Sequence, residues 1–289
     1  MAEHKIQHFL PQTYLKGFSK KEKSPIGEKI DVLNIYNFKK QTLKGRQTNK
    51  IAWKPYYYSF KDENGELDHS MEKKFSELED FTKRIFSIID DDINKIIENR
   101  HSEIKKIMPI DKDLLMTFVF MMLKRVPKQL EEIQKGLEKL AEEIKGKYPE
   151  AIISDEEIKK RTILIMHELG LSAEHNILEK LKSKNILFAY IHNNKTSFLT
   201  TDNPVVFWRR EGPPGIGYDD TEVRFPINKR CLLVLHGIGE KIEITQFSNR
   251  KRIYEWNLYM AKHANELIIA RDNELVKAIC KDLNLNIVK

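Results

Sequence analysis

Cysteine is scarce. Cys231 and Cys280 are the only two in 289 residues, and no C-x-x-C pair occurs. This excludes a disulfide framework and a zinc knuckle and fits two reduced thiols in a cytoplasmic protein. Long apolar runs are missing as well. The longest lies around Leu114 to Leu123, at about half of the roughly 20 residues that a bilayer-spanning helix needs. No membrane partner is therefore expected. The opening MAEHKIQHFLPQTYLKGF lacks the apolar h-region of a signal peptide. The strong catalytic signatures are also absent: no GxxxxGK[ST] phosphate loop, no GxSxG elbow and no HExxH. His167-Glu168 is followed by Leu-Gly-Leu with the next histidine at 175, which misses the i, i+4 spacing of a metal pair and reads as helix surface. GPPGIG, at 212–217, has no lysine and opens no helix, so it reads as part of an exposed loop rather than a phosphate cradle.

What is present is a globular composition, 40% hydrophobic and 32% charged, long enough to bury a substantial core. The net charge is +7, and it is unevenly spread. The first sixty residues hold 12 Lys and Arg against 4 Asp and Glu, while the rest hold 38 against 39. A basic segment of this kind attracts a polyanion such as nucleic acid, or is simply a lysine-rich solvated surface.

Periodicity divides the chain. IDVLNIYNF alternates and YYYSF is aromatic, so strands are expected over about 30–60. From Ser70, a candidate cap, the residues Met71, Phe75, Leu78, Phe81, Ile85, Ile88 and Ile89 recur at helical spacing. A nearly all-apolar helix follows around Leu114 to Met122, and Pro127 should kink it or start a new one. Residues 128–146 are rich in Glu and Lys, Ser154-Asp155-Glu156-Glu157 resembles a capping box, and a further helix is expected over about 172–183. Short β-rich runs then appear: NILFAYIHN, TSFLTT, PVVFW, CLLVLHG, KIEITQF and NELIIA. Helices are expected at 248–264 and 272–282. The fold class is α+β: N-terminal strands, a large helical insert at about 70–183, and a C-terminal, mostly antiparallel sheet with closing helices. The sheet-rich part covers about 30–60 and 186–271, all within one domain spanning 1–289.

Four short stretches hold candidate site residues. His4 and His8 flank KIQ; if that stretch is helical they share a face, as a metal pair, an acid/base group or packed side chains. Arg125 ends the apolar helix, where burial demands an anionic partner, either a carboxylate of the protein or a bound phosphate. Thr200-Thr201-Asp202-Asn203-Pro204 reads as a tight strand corner closed by Asx-type hydrogen bonds, with Pro204 holding Asn203 extended. Asp202 there is a brace, or else a working carboxylate serving as general base or metal ligand.

Together these pieces resemble one family. QHFLPQTYLKGFS is similar to a His-x-x-Pro-x-x-Tyr-Leu-x-x-Phe opening, LKRVP to an Arg-x-Pro element on a helix, and FLTTDNPVVF with VRFPINKRCLLVLH to a Thr/Ser-Asp-Asn-Pro-Val corner and the strand after it. YEWNLYMAKHANELIIA resembles the Asn-bearing helix and strand that close the domain. The family is the one catalogued as domain of unknown function 4238, and the likeness spans about residues 4 to 271. It carries no assigned activity; some members are associated with antiphage defence. The matching positions are His8, Pro11, Arg125, Asp202, Asn203, Pro204 and Asn257. The family's double histidine stands here as Gln7-His8, which counts against a two-histidine metal centre.

The leading expectation is a cytoplasmic antiphage effector acting on nucleic acid, a nuclease or other phosphate-handling enzyme. Asp202 would ligate a divalent metal or act as base and His8 as acid/base. Arg125 would hold phosphate charge, and Asn203 or Asn257 would orient it. The alternatives are a non-catalytic sensor or binding module, and a nucleotide-processing enzyme.

Overall fold

Alternating and helical periodicities become elements much as the residues dictate. The computed structural model describes residues 5–24, 26–62, 64–98, 109–171, 177–192 and 195–288. The N-terminal part holds β1 (Ile6–His8), α1 (Gln12–Lys16), β2 (Lys20–Lys23), β3 (Lys29–Asn37), β4 (Thr42–Gln47), β5 (Trp53–Pro55), β6 (Phe60–Lys61) and β7 (Leu67–Asp68). The helical part is α2 (Ser70–Ile97), α3 (Pro109–Lys124), α4 (Pro127–Lys147), α5 (Asp155–Leu171) and α6 (Ile177–Lys182). Then come β8 (Asn185–Tyr190), β9 (Thr200–Thr201), β10 (Val206–Trp208), β11 (Glu222–Asn228), β12 (Cys231–His236) and β13 (Ile242–Gln246). The chain closes with α7 (Arg250–Lys262), β14 (Leu267–Ala270) and α8 (Asn273–Asp282). The fold is α+β.

The helices follow their apolar faces. In α2, Met71, Phe75, Ile85, Ile89 and Ile93 are buried. Phe81 departs from the expected stripe: it is exposed, and Thr82 takes the inward position with its hydroxyl donating to the Leu78 carbonyl. Ser70 is the first helical residue rather than the cap, because the Asp68 carboxylate accepts from its N–H. Helix α3 is buried almost all round through Leu115, Met116, Phe118, Val119, Phe120 and Met122 and lies at the heart of the core. Pro127 opens α4, as a proline at the first helical position can without losing a hydrogen bond. The Ser154 hydroxyl accepts from the Glu157 N–H and caps α5. Of the helix expected at 172–183, residues 177–182 are helical and 172–176 lie outside the described residues.

The strands form two five-stranded sheets, with two-stranded pairs β1-β5 and β6-β7 beside them, instead of one C-terminal sheet. One has the order β10-β11-β12-β8-β13, with β13 parallel to β8 and the other pairings antiparallel. The other mixes both ends of the chain. Its order is β2-β3-β14-β9, with β4 also paired to β3. Strand β3 alternates accordingly. Leu33 and Ile35 face the main core, while Tyr36 joins a second cluster with Ile268, Ala270, Val276 and Ile279 under α7 and α8.

Candidate functional site

His8 does not sit on a helix. It ends β1, which pairs antiparallel with β5, His8 opposite Trp53. His4 lies outside the described residues, so no histidine pair arises there. Successive residues of a strand point to opposite sides. Gln7 points into the core, donating to the Ser59 hydroxyl at 2.7 Å and accepting from the Tyr58 N–H at 2.6 Å. His8 therefore faces the other way, into a pocket of about 450 Å3 with Gln12, Asn49, Lys50, Glu72 and Glu79.

Arg125 stands behind this pocket, on its inner side. It is 2% exposed, at the C-terminal end of α3. Its Nη1 donates to Glu79 at 2.7 Å and its Nη2 to the His8 carbonyl, while the Tyr58 hydroxyl donates to the Arg125 carbonyl at 2.8 Å. The guanidinium also lies 4.6 Å from the Phe75 ring centre. Of the two partners the sequence left open, the structure supplies the protein's own carboxylate. Arg125 ties α2, α3 and β1 together.

The pocket is electrostatically unusual. Burial, and then the Arg125 charge, push the His8 imidazole down to about 4, against a hydrogen bond with the Asn49 backbone that acts upward. A bond with that effect is one the ring donates. The neutral ring carries one proton, and assigning it to the nitrogen facing Asn49 leaves Nε2 a bare acceptor. Burial pushes the Glu72 carboxyl up to about 7; Arg125 opposes this and Glu79 reinforces it. His8 Nε2 and Glu72 Oε2 are both buried without a hydrogen-bond partner among the described residues.

The corner at 200–204 behaves differently. Thr201, rather than Asp202 or Asn203, closes the turn. Its hydroxyl accepts from the Asn203 N–H at 3.1 Å and donates to the Asn203 carbonyl at 2.8 Å. Asp202, 1% exposed, reaches across to the segment entering β14, where its two oxygens accept the N–H groups of Asn265 at 2.9 Å and Glu266 at 2.7 Å. Burial raises its pKa, and these backbone bonds oppose the rise. Asn203 donates to the His263 carbonyl at the end of α7. Asn257, buried on α7, accepts from the Leu199 N–H and donates to the Ser197 carbonyl, holding the approach to the corner. Of the five candidate residues, the structure brings His8 and Arg125 into contact. Asp202, Asn203 and Asn257 form a separate set of backbone braces.

Asp202 nevertheless opens onto a second cleft, of about 490 Å3, beside the His8 pocket. Its floor is a face of the sheet that holds β3 and β4, where Thr42, Lys44 and Arg46 alternate outward on β4. Lys40, Lys50 and Lys54 also line it, against Asp202 and Glu266. Glu266 is paired with Lys39 at 2.5 Å and Lys54 lies 3.9 Å from Glu131. Among the described residues no carboxylate stands within ion-pair distance of Lys40, Lys44, Arg46 or Lys50. Trp53, 37% exposed, forms part of the wall. Lys50 lines both cavities, and the consecutive residues His8 and Phe9 open one into each.

A family model described as Protein of unknown function (DUF4238) matches residues 6–274. The chain belongs to that family. No curated protein and no solved structure matches it. Both cavities of this DUF4238 protein fall within the matched span.

Among the described residues no three or more His, Cys, Asp or Glu side chains gather to hold a metal ion. Around Asp202 the neighbouring side chains are mainly cationic, a poor donor set for a divalent metal. Sequence reasoning missed Glu72 and Glu79. They stand seven residues apart on α2, on one face with Phe75, and that spacing was a usable signal once Arg125 required a carboxylate.

Proposed function

We propose that this protein is an antiphage defence effector that binds nucleic acid, holding the phosphodiester chain in the basic cleft and cleaving it at the adjoining pocket. One observation carries the reading. Lys40, Lys44, Arg46 and Lys50 converge on a single cleft with no described carboxylate within ion-pair distance. Clustered, uncompensated cations on a rigid strand surface favour a polyanion, because each phosphate they meet releases condensed counterions. Trp53 in the wall adds a π-face on which an unpaired base can stack, which favours single strands. The lysine excess of the first sixty residues is thus partly a shaped feature.

The test is fluorescence anisotropy with a labelled single-stranded oligonucleotide, alongside phage plating on cells expressing matched levels of folded protein. Lys44→Ala/Arg46→Ala should bind at least about tenfold more weakly and restore plating. Wild-type affinity in the folded double variant would remove the cleft from the account. Loss of binding without any change in plating would remove the defence role.

A binding module without chemistry is the second reading. It is favoured by the side chains of Asp202 and Asn257, whose oxygens and amide are taken up by backbone groups, and by Asn203, which donates to the His263 carbonyl; these serve as braces.

A further inference from the structure

The His8 pocket holds two bare polar atoms that the scaffold does not use. At neutral pH the His8 Nε2 is an acceptor, and the Glu72 carboxyl, pushed up to about 7, is protonated about half of the time and can donate. A ribose-phosphate segment offers a partner to each: a hydroxyl that donates to the imidazole, and an ester oxygen that accepts from the carboxyl. A phosphate suits the pocket poorly. Glu72 and Glu79 line it; Arg125 has its Nη1 and Nη2 engaged by Glu79 and the His8 carbonyl, and its Nε, buried and without a partner among the described residues, belongs to a residue that does not line the pocket. The phosphate charge is held at Lys50, where the pocket meets the basic cleft. Because Lys50 lines both cavities, a phosphodiester chain lying there would pass the mouth of the His8 pocket.

We propose that the pocket takes a ribose 2′-hydroxyl, so that the substrate is RNA, and that His8 and Glu72 move its proton in an internal transesterification. The proposal rests on the basic cleft holding the chain. His8 Nε2 takes the proton of the 2′-hydroxyl. The 2′-oxygen attacks the adjacent phosphorus and forms a new P–O bond, while the bond from phosphorus to the 5′-oxygen of the next nucleotide breaks. Glu72 gives its proton to that leaving oxygen. The products are a 2′,3′-cyclic phosphate and a 5′-hydroxyl. Return of a proton from imidazolium to carboxylate through solvent restores the starting state. Lys50 faces the charge gathering on the phosphate. A carboxyl titrating near neutrality suits a general acid working there.

The charged and titratable groups facing this pair are Arg125 just beyond α3, Glu79 from α2, Lys50 from the 3-10 turn Thr48–Lys50, and Tyr58 behind Arg125. Cleavage should rise as His8 loses its proton through about 4 and fall as Glu72 loses its proton through about 7.

The experiment incubates the wild-type protein with an oligoribonucleotide, its all-deoxy counterpart and its 2′-O-methyl counterpart, and measures binding and product ends together. The RNA should be cut to 2′,3′-cyclic phosphate ends, while the other two bind within a few-fold of it and stay whole. Glu72→Gln should cut at least about 100-fold more slowly, bind normally and lose the alkaline limb of the pH profile. RNA that is bound but never cut, or deoxy substrate cut equally well, overturns this inference and leaves the cleft reading standing. If none of the three binds, the cleft reading falls and this inference falls with it.

Discussion

The corner at Thr201–Pro204 and the pocket at His8 both bury carboxylates, yet they treat their polar atoms in opposite ways. At the corner both Asp202 oxygens meet a backbone N–H, and Asn203 and Asn257 donate to backbone carbonyls. In the pocket Glu72 Oε2 and His8 Nε2 are buried and bare. Satisfied buried groups hold a fold together. Unsatisfied ones cost stability and are kept where a ligand or a reaction makes up the difference. The oxygen-rich turn in the sequence drew the eye to Asp202, whereas the bare atoms point to His8 and Glu72.

Breaking the scaffold side of this comparison should give the largest effects. Arg125→Met leaves the half-buried Glu79 without its cation and the His8 carbonyl without its donor; unfolding in denaturant should show a loss of about 3 kcal/mol, the low end for a broken buried pair. Asp202→Ala removes the acceptor of two backbone N–H groups and should cost about 3 kcal/mol. The folded Asp202→Ala protein should still bind polyanion at least as tightly as wild type, because the substitution removes a negative charge from the cleft. A collapse of binding with unchanged stability would mean that Asp202 belongs to the working side.

The pocket side should answer with a small, pH-dependent change. The folded Glu72 pKa of about 7 lies above the ordinary 4.5, so burial favours its protonated form. Its contribution to stability is fully present below about 4.5 and is lost as pH rises through about 7. Glu72→Gln should therefore resist heating better than wild type at pH 8, with the gap closing toward pH 4.5. His8 runs the other way. Its folded value of about 4 lies below 6.5, so its contribution is present above 6.5 and lost as pH falls through about 4. Equal melting of wild type and Glu72→Gln at every pH would show that Glu72 is not held in a protonating environment.

Much of this was legible in the sequence because it is local. Helical spacing located α2, the nearly all-apolar run α3 and the Glu/Lys-rich composition α4; the proline at 127 marked the start of α4 and the capping serine at 154 that of α5, and Arg125 announced its need for an anion. What escaped depends on distant partners. Thr201 closes the turn because the N–H groups of residues 265 and 266 recruit Asp202 away from it. The second sheet could not be read from the strands singly, since β14 brings residues from the end of the chain beside β3. The lysine excess was visible as a count. Its convergence on one cleft was not, because that requires the alternation of β4 to be placed against the wall formed by Phe9 and Trp53.

The central claim is that the cleft binds nucleic acid through its phosphates. The slope of log K against log salt for a single-stranded oligonucleotide measures this most directly. The wild type should show a steep negative slope, and Lys44→Ala/Arg46→Ala should flatten it by about 1.4, at about 0.7 for each lost phosphate contact. A wild-type affinity indifferent to salt, or a slope unchanged in the folded double variant, would contradict the account.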